Sequence, residues 1–520
     1  MNKKKLILIR GGGGLLFASS LPLIAASCKN NETKEPKKEP EIDAPIAPPT
    51  DPGKNNETKE PKKEPEMDAP IAPPTDPEKD NPGKTESMHS DKPKVFKTDI
   101  SGLKLKFSPT NNTNKNDVLE LLKKQPKLEN LTEGDFDFKL ERKSLLNREG
   151  LIVIAANHES QLVSGMLNIT INKLDKLIPR EHKYNNDKTK VLEIGYDEKG
   201  RIKKFVENVK EVPANLPEEI ISLDWAFARN LNEKIVNLEK WDTSNIESMS
   251  KTFLQAKKFN TDISSWKTNR VKDMSNMFTS AEAFSQNLDK WDTSNVTTMY
   301  RMFEEAKTFN GNISSWKTEN VTNMEHMFEK AAAFNQDLSS WNVENVSKMK
   351  NMFSGAKEFN KPLFKLINPK VSDMSYMFFG AEKFNDSSVS QWNTTSVTKM
   401  NAMFWDAKAF NQDLSNWKTD NVTLMHNMFY GAIIFNSDIS RWKTSKVTNM
   451  SQMFWGAKAF NQNISDWDVK NVTDVSSMFA YASSFKQDLD KWTFNKIVNS
   501  SHFRNGAPIF KLPNFRQVSK

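Results

Sequence analysis

The one thiol of this 520-residue chain is Cys28, and its setting indicates the chemistry it could undergo. It follows a leader, residues 1–27, that carries three lysines and Arg10, then four glycines, then an apolar run. A basic segment followed by an apolar one is the layout of a secretory signal. A Cys at the end of such a run can carry thioether-linked acyl chains, and each buried methylene adds about 0.8 kcal/mol of membrane affinity. The residues therefore predict lipidation at Cys28.

The leader resembles a bacterial lipoprotein signal with its lipobox, in which small residues precede the modified Cys. Ala25 stands where that pattern usually has Leu. The resemblance implies palmitate-type acylation and a chain held on the extracellular face of the cell membrane. The alternative is an uncleaved transmembrane anchor, which Arg10 and the glycines make unfavourable because they interrupt the apolar span.

Charge and residue counts exclude several classes of protein. The net charge of +8 falls to +4 when residues 1–27 are removed, which is too weak for a nucleic-acid footprint. One Cys excludes an intramolecular disulfide framework and Cys-based metal centres. The adjacent His158, Glu159 and Ser160 suggest a hydrolase, but sequence neighbours rarely form a triad, so we expect a surface loop there. The sequence predicts no enzyme, no metal, no cofactor and no small-molecule substrate.

Residues 28–94 follow the leader and are rich in Pro, Lys and Glu. They contain a tandem copy of 25 residues, 30–54 and 55–79, that differs only at Ile42/Met67 and Gly53/Glu78. Such a composition cannot bury enough apolar area to offset the entropy of ordering, so we expect disorder. At about 3.1 Å per residue this tether could hold a folded part on the order of 100 Å from the bilayer. It is either a stalk or a sequence-tolerant linker.

Residues 95–215 change character and predict a small α+β domain. The predicted helix covers 116–125, and a hairpin is expected over 190–205 around residues 197–200. Apolar runs, and runs in which apolar and polar residues alternate, predict strands over residues 103–107, 135–141, 151–156 and 165–174.

From Trp241 onward the chain repeats every 25 residues. We number each repeat from its Trp, which is position 0. Val or Ile recurs at position 5, Met at 8 and 11, Phe at 12, Ala at 15, Phe-Asn at 18–19 and Ile or Leu at 22. Leu366 takes the place of one Trp, and one inserted residue before Trp392 shifts the phase. The other residues at position 0 are Trp241, Trp266, Trp291, Trp316, Trp341, Trp417, Trp442, Trp467 and Trp492.

The positions of the repeat predict how it folds. Positions 8, 11, 12 and 15 have the spacing of one face of a short helix. Trp at 0 and Thr at 2 flank a polar residue at 1, as in a half-buried strand. One strand and one short helix cannot close a core alone, but stacked repeats can. The predicted fold class for residues 216–510 is therefore an α/β solenoid, leucine-rich-repeat-like, followed by a tail at 511–520.

Two polar features of the repeat have structural explanations. Asn recurs at positions 4 and 19, where we expect buried ladders that satisfy loop backbone groups. Opposite charges at position 1 of neighbouring repeats, such as Asp242 and Lys267, are expected to pair across the array. The alternative for position 1 is a polar protein-binding surface.

Position 13 is the candidate binding site. In four successive repeats it holds an aromatic residue, whereas earlier repeats carry Leu, Thr, Glu or Ser there. On a helix this position would face outward, and contiguous exposed aromatics often mark a partner site. The alternative is that these rings fill grooves between neighbouring helices. The candidate residues are Phe379, Trp405, Tyr430 and Trp455, with Ile433 and Ile434 nearby.

The motif V-T-x-M-x-x-M-F-x-x-A-x-x-F-N-x-x-[IL]-S-x-W resembles the 25–26-residue repeat of BspA-like bacterial leucine-rich-repeat surface proteins, and with its leader and tether the chain resembles mycoplasma surface lipoproteins of that group. The resemblance covers residues 190–510. It implies a membrane-anchored surface protein that binds a macromolecular partner, namely a host or neighbouring cell-surface protein, in adhesion. The alternative is a structural or antigenically variable coat protein without a specific ligand, which the tandem tether favours.

Overall fold

The computed structural model describes residues 96–367, 370–496 and 498–515. Cys28, the leader and the tandem tether lie outside these residues, so the predictions made for them stay predictions. None of the helices in the described ranges has the length and apolar character needed to cross a bilayer.

The first part of the described chain is a small mixed module. Its helix α1, Lys115–Leu122, begins with a capping box in which Asn114 accepts from the Asp117 amide and Asp117 accepts from the Asn114 amide. Val118 and Leu122 of this helix are fully buried beside the module's sheet. The predicted helix is confirmed with shifted ends, and the predicted strand at 103–107 is not formed. The strands are β1 Thr98–Asp99, β2 Phe136–Arg142, β3 Gly150–Ala156, β4 Val163–Ser164, β5 Met166–Ile171, β6 Lys183–Tyr184 and β7 Val191–Glu193.

The sheet of this module is antiparallel with strand order β2-β3-β5. Phe138 pairs with Ile154, and Ile152 pairs with Ile169. Strand β1 pairs with β4 in parallel, and β6 pairs with β7 antiparallel. The hairpin predicted over 190–205 is present as a bridge between Tyr196 and Ile202. Three short 3-10 segments complete the regular elements, Glu133–Asp135, Leu238–Lys240 and Ser387–Gln391.

Two separate apolar cores divide the described chain. The core of the mixed module runs from Ile100 to Ile171. The second core begins at Leu177 and continues to Ile509. Residues 177–215, which the sequence assigns to the α+β domain, therefore pack with the repeat array, and Val191 and Phe205 are both buried in its core.

Each repeat makes one turn of the array and stacks on the turn before it. Single parallel bridges join position 7 of one repeat to position 7 of the next, for example Asp273 to Thr298 and Thr298 to Asn323. Amides at positions 8, 10, 12 and 14 donate to carbonyls at positions 7, 9, 11 and 13 of the following repeat. The Phe303 amide lies 2.9 Å from the Met327 carbonyl, and the Glu305 amide lies 2.7 Å from the Glu329 carbonyl. A repeat therefore completes its hydrogen bonding only when a second repeat follows it.

The predicted helix over positions 8–15 is wrong. Positions 10 and 14 have positive φ in every repeat, between +53° and +72°. That left-handed region is incompatible with a right-handed helix, so the amides bond to the next repeat instead of to residues four back. Overlapping turns take the place of the helix, as when the Met302 amide donates to the Met299 carbonyl and the Ala306 amide to the Phe303 carbonyl. These turns still bury positions 8, 11, 12 and 15.

The predicted strand over positions 0–2 is also misplaced, because the bridge between repeats falls at position 7. The alternation of burial at positions 0–2 is nevertheless correct. Trp266 and Thr268 are buried and Lys267 between them is exposed. The buried Thr268 hydroxyl donates to the Asp292 carbonyl of the next repeat at 2.9 Å.

Three columns of stacked aromatic rings fill the interior of the array. Neighbouring Trp rings at position 0 lie 6.2–6.5 Å apart and are nearly parallel. Phe rings at position 12 stack on the next repeat at 5.4–5.7 Å. Phe rings at position 18 stack at 5.6–6.0 Å. The buried Trp316 indole donates to the Leu288 carbonyl at 2.8 Å, which satisfies its one donor. Leu366 interrupts the Trp column, and there Phe364 stacks on Trp392 at 5.7 Å.

The polar ladders run along the outside of the array. The Asn335 carboxamide oxygen accepts from the Asn360 amide, and Asn360 accepts in the same way from Asn385. At position 4, the Asn320 carboxamide donates to the Ser294 carbonyl at 2.7 Å. The ladders satisfy loop backbone groups as predicted, but they are largely exposed and not buried. At position 1 the expected charge pairing is present between Lys267 and Asp242 at 3.3 Å.

Candidate functional site

The four aromatic residues predicted at position 13 lie side by side on the outside of the array. All four are half-buried. The ring centroids of Phe379 and Trp405 are 5.2 Å apart, those of Trp405 and Tyr430 are 4.6 Å apart, and those of Tyr430 and Trp455 are 4.3 Å apart. The structure therefore brings the predicted residues into one contiguous row.

Two further aromatics extend this row and were not predicted. Tyr376, at position 10, lies 6.1 Å from Phe379. Tyr481, at position 14, lies 5.2 Å from Trp455 and is 55 % exposed. Tyr376 stands in the repeat where aromatics at position 13 begin, and Tyr481 stands in the repeat that follows the last of them, so a search across positions 10 to 14 would have found both. We call the six residues the aromatic ridge: Tyr376, Phe379, Trp405, Tyr430, Trp455 and Tyr481.

Local backbone geometry explains why position 13 faces outward. The amide of Tyr430 donates to the Asn427 carbonyl in a turn, and its carbonyl accepts from Asp406 of the repeat before. Phe429 immediately before it is fully buried. Because the described residues of the repeats form no α-helix, the rings of the ridge do not fill grooves between helices. Each ring contacts the ring of the next repeat.

Glycine follows the aromatic residue in most of these repeats. Gly380, Gly431 and Gly456 occupy position 14 with φ between +63° and +65°, a conformation that glycine adopts without strain. Earlier repeats place longer side chains there, such as Glu305 and Lys330. The glycines therefore leave a shallow trough alongside the aromatic ridge.

Asp406 is the exception at position 14 and lies within the trough. A Cβ added at Gly431 would collide with Oδ1 of Asp406, so this carboxylate rests directly on the next glycine. Burial raises the pKa of Asp406 above its usual range, although Lys408 and the Trp405 side chain oppose the shift. Burial also raises the pKa of Tyr430, and Asp406 adds to that effect.

Ile433 and Ile434 are exposed in the repeat of Tyr430, at 39 % and 45 %. They occupy positions 16 and 17, of which position 16 carries Lys or Glu in most other repeats. The Lys357 and Lys408 ammonium groups, for example, both pair with Glu382 at position 16. The two isoleucines thus replace part of a charged row with apolar surface beside the middle of the ridge.

The repeat of Tyr430 also holds polar atoms without partners. Among the residues that the structure describes, Nδ1 of His426 and Oδ1 of Asn427 are buried and make no hydrogen bond. Burial lowers the pKa of His426, so its neutral form is favoured. The array therefore leaves hydrogen-bonding capacity unused next to the ridge.

The hydrolase-like trio forms a loop of which only the first two residues are at the surface. His158 and Glu159 are largely exposed, whereas Ser160 is buried. The Ser160 hydroxyl donates to Asp135 at 2.7 Å and accepts from the amides of Leu162 and Val163. The trio thus ties down a turn in the mixed module. Over the described ranges, no three His, Cys, Asp or Glu side chains are grouped so that they could hold a metal ion.

Stacked 25-residue turns that share one interior define this chain as a repeat protein. It belongs to the family described as "Mycoplasma protein of unknown function, DUF285", which matches residues 221–340, 286–387, 367–441 and 414–514 and so spans more than half of the chain. No curated protein and no solved structure matches the chain.

Proposed function

We propose that the chain is a cell-surface lipoprotein whose repeat array binds a macromolecular partner through the aromatic ridge, in adhesion to a host or neighbouring cell. The observation that carries this proposal is the ridge itself. Six aromatics from five successive repeats form one half-exposed row, whereas most earlier repeats carry Thr, Glu or Ser at position 13. An exposed row of this kind has no role in closing the core, and such surfaces commonly mark interaction sites.

The anchor is part of the same proposal. Cys28 follows a leader with the layout of a secretory signal, and the Pro-rich tether separates it from the array. Acylation of Cys28 would place the array on the extracellular face of the cell membrane. Membership of a mycoplasma repeat family agrees with a surface role. We assign the array itself to the BspA-like leucine-rich-repeat solenoids on the strength of its repeat motif.

Binding is tested with the full-length chain carrying Cys28→Ser, which prevents acylation. Labelled protein is titrated onto host cells and onto immobilised extracellular-matrix proteins. We expect saturable binding that Trp405→Ser with Trp455→Ser weakens at least tenfold. Trp225→Ser is the matched control, because Trp225 is 41 % exposed in an early repeat and lies outside the ridge. Equal loss in the ridge variant and the control, or no saturable binding by the parent, would refute the ridge as the binding site.

Anchoring is tested separately in cells. A palmitate analogue should label the wild-type chain, which should enter the detergent phase on Triton X-114 partition. The Cys28→Ala variant should lose both properties. Detergent partition that persists in Cys28→Ala would instead support an uncleaved transmembrane leader.

A second candidate function is a variable coat component without a specific ligand. The near-identical copies at 30–54 and 55–79 favour it, because tandem copies can change in number by recombination. It predicts tether length that varies among isolates together with no saturable partner.

A further inference from the structure

The shape of the aromatic ridge limits what can bind to it. Five repeats at about 4.8 Å each make a row about 20 Å long and one side chain wide. Such a row offers on the order of 200–300 Å², well below the roughly 800 Å² per partner of a stable globular interface. A second copy of the chain or another globular protein could not be held by the ridge alone. A linear segment that lies along the row fits its dimensions.

The spacing of the rings matches one kind of linear segment. A polyproline II helix repeats every three residues, or about 9.3 Å. The rings of Trp405 and Trp455 belong to repeats two apart, and Tyr430 lies between them at 4.6 Å and 4.3 Å, so their centroids are no more than about 9 Å apart. That separation is close to the period of the polyproline II helix. Prolines three residues apart would therefore meet equivalent rings.

The polarity of the surface agrees with this occupant. Positions 9, 10, 13 and 14 of the five ridge repeats carry one carboxylate, Asp406, and otherwise aromatic, amide, hydroxyl or small side chains and one His. Tyr hydroxyls and Trp indoles are donors, and every carbonyl of a polyproline II segment is free to accept. The single negative charge, in the middle of the row, is complementary to one basic residue in the ligand.

We propose that the aromatic ridge binds a proline-rich segment in polyproline II conformation that carries one Lys or Arg opposite Asp406. The proposal rests on the binding function proposed above and names the class of its partner. Aromatic-lined grooves recognise such segments because the ligand is already ordered before it binds. The glycine trough gives the ligand backbone room at Gly456, where an added Cβ would meet no atom closer than 3.9 Å, whereas the Asp406 carboxylate occupies the space at Gly431.

Other linear ligands fit less well. A β-strand would need free backbone groups, but the amides on either side of position 13 already bond to the next repeat, as Gly431 does to the Trp455 carbonyl. Nucleobases and sugar rings stack on aromatic faces. Here the Tyr430 and Trp455 rings are parallel within 7° at 4.3 Å and cover one another's faces.

The test uses the full-length chain with Cys28→Ser and fluorescence anisotropy. The first probe is a labelled twelve-residue peptide with Pro at every third position and one central Arg. A second peptide replaces each Pro by Gly, a third replaces Arg by Ala, and the fourth probe is a neutral hexasaccharide. We expect at least tenfold weaker binding after Pro→Gly, and at least tenfold weaker binding of the first peptide by Trp455→Ser. Trp225→Ser should bind like the parent.

Asp406→Asn identifies the charge contact. This variant should bind the Arg peptide several-fold more weakly and the Ala peptide as tightly as the parent does. The effects of Asp406→Asn in the protein and of Arg→Ala in the peptide are then not additive. Equal binding of the Pro and Gly peptides overturns the proposal. Hexasaccharide binding that depends on Trp455, without peptide binding, also overturns it while leaving the ridge as a binding site. If Trp405→Ser with Trp455→Ser does not impair adhesion to host surfaces either, the proposed function itself fails.

Discussion

The same outer face of the array carries opposite chemistry in its two halves. In the repeats that begin at Trp291 and Trp316, the Arg301 guanidinium contacts Glu304 at 2.9 Å, and Nδ1 of His326 lies 2.5 Å from Glu329. In the repeats from Leu366 to Trp467 the equivalent positions hold the aromatic ridge. The interior beneath both halves is the same, with stacked Phe at positions 12 and 18.

This contrast separates positions that fold the chain from positions that are free to vary. Buried positions must repeat because each one packs on its own counterpart in the next turn. Positions 10, 13 and 14 lie outside the stacked interior and are buried in some repeats and half-exposed in others, so the array accepts an ion-pair network or a row of aromatics there. Sequence differences confined to those positions are therefore not required by the core.

The sharpest test of this separation compares two adjacent residues. Phe454 is fully buried and its ring lies 3.9 Å from that of Phe460, whereas Trp455 is half-buried on the ridge. Phe454→Ala should lower the free energy of unfolding by about 3–5 kcal/mol, because it removes one ring from the position-12 column and that ring's contact with Phe460 in the position-18 column. Trp455→Ala should cost no more than about 1 kcal/mol. Urea unfolding followed by circular dichroism measures both.

The stability loss measured for Trp455→Ala decides whether the Trp455 ring serves to bind a partner or to pack against its neighbours. A loss comparable to that of Phe454→Ala would mean that the ridge stabilises the array through ring contacts, and the binding proposal would lose its main support. A small loss together with impaired adhesion would assign the ring to a partner.

The ion-pair network of the repeats that begin at Trp291 and Trp316 is tested by removing one of its members. Glu304 is 9 % exposed and depends on Arg301, whose side chain is about one-third exposed. Arg301→Met leaves that carboxylate without its cation, and we expect a loss of about 1–2 kcal/mol, less than for a fully buried pair because solvent screens the arginine. Adding Glu304→Gln should restore most of the loss. A double variant as unstable as the single one would show that the arginine acts through packing alone.

Much of the interior could be predicted from the sequence, since burial follows residue type. Trp266 at position 0, Met274 at 8, Phe278 at 12 and Ala281 at 15 are all buried as their apolar character requires. The row of aromatics at position 13 could be predicted from a different signal. Large rings stand there in four successive repeats, whereas most earlier repeats carry polar residues.

The backbone path could not be predicted in the same way. An i, i+3, i+4, i+7 pattern fits a helix, but overlapping turns place the same positions inside. The distinguishing feature is positive φ at positions 10 and 14, and residues as different as Arg301, Tyr376 and Ala402 adopt it. Glycine recurs at position 14, as at Gly355 and Gly380, but position 10 carries no such marker, and there hydrogen bonds to the next repeat, and not local propensity, enforce the conformation. The four aromatics at position 13 were identified from the sequence and lie in one row, whereas Tyr376 and Tyr481 were missed because they lie at those turn positions. The binding role of the row stays a prediction.

Glycines of the trough offer a smaller test within the aromatic half. Gly431 and Gly456 have nearly the same φ, so an alanine at either should cost about 1 kcal/mol from backbone strain. At Gly456 the added Cβ would meet its nearest atom at 3.9 Å, whereas at Gly431 it would collide with Asp406. Gly431→Ala should therefore be the less stable variant in thermal unfolding. Asp406→Asn leaves the collision in place, but Asp406→Gly should make the two alanine variants equal.

The smallest expected effect is a difference in pH dependence between two neighbouring acids of the charged half. Burial raises the pKa of Glu304, so its ionisation costs the folded state stability above that pKa, and the cost disappears as the pH falls toward the ordinary Glu value. Lys330 and Ser280 lower the pKa of Glu305, so its contribution is favourable above the ordinary value and is lost on acidification through the lowered pKa. Urea midpoints measured from about pH 4 to pH 7 should therefore diverge in opposite directions for Glu304→Gln and Glu305→Gln relative to wild type. Parallel shifts in both variants would show that the two carboxylates share one environment, and the distinction drawn between a half-buried network and an exposed pair would not hold.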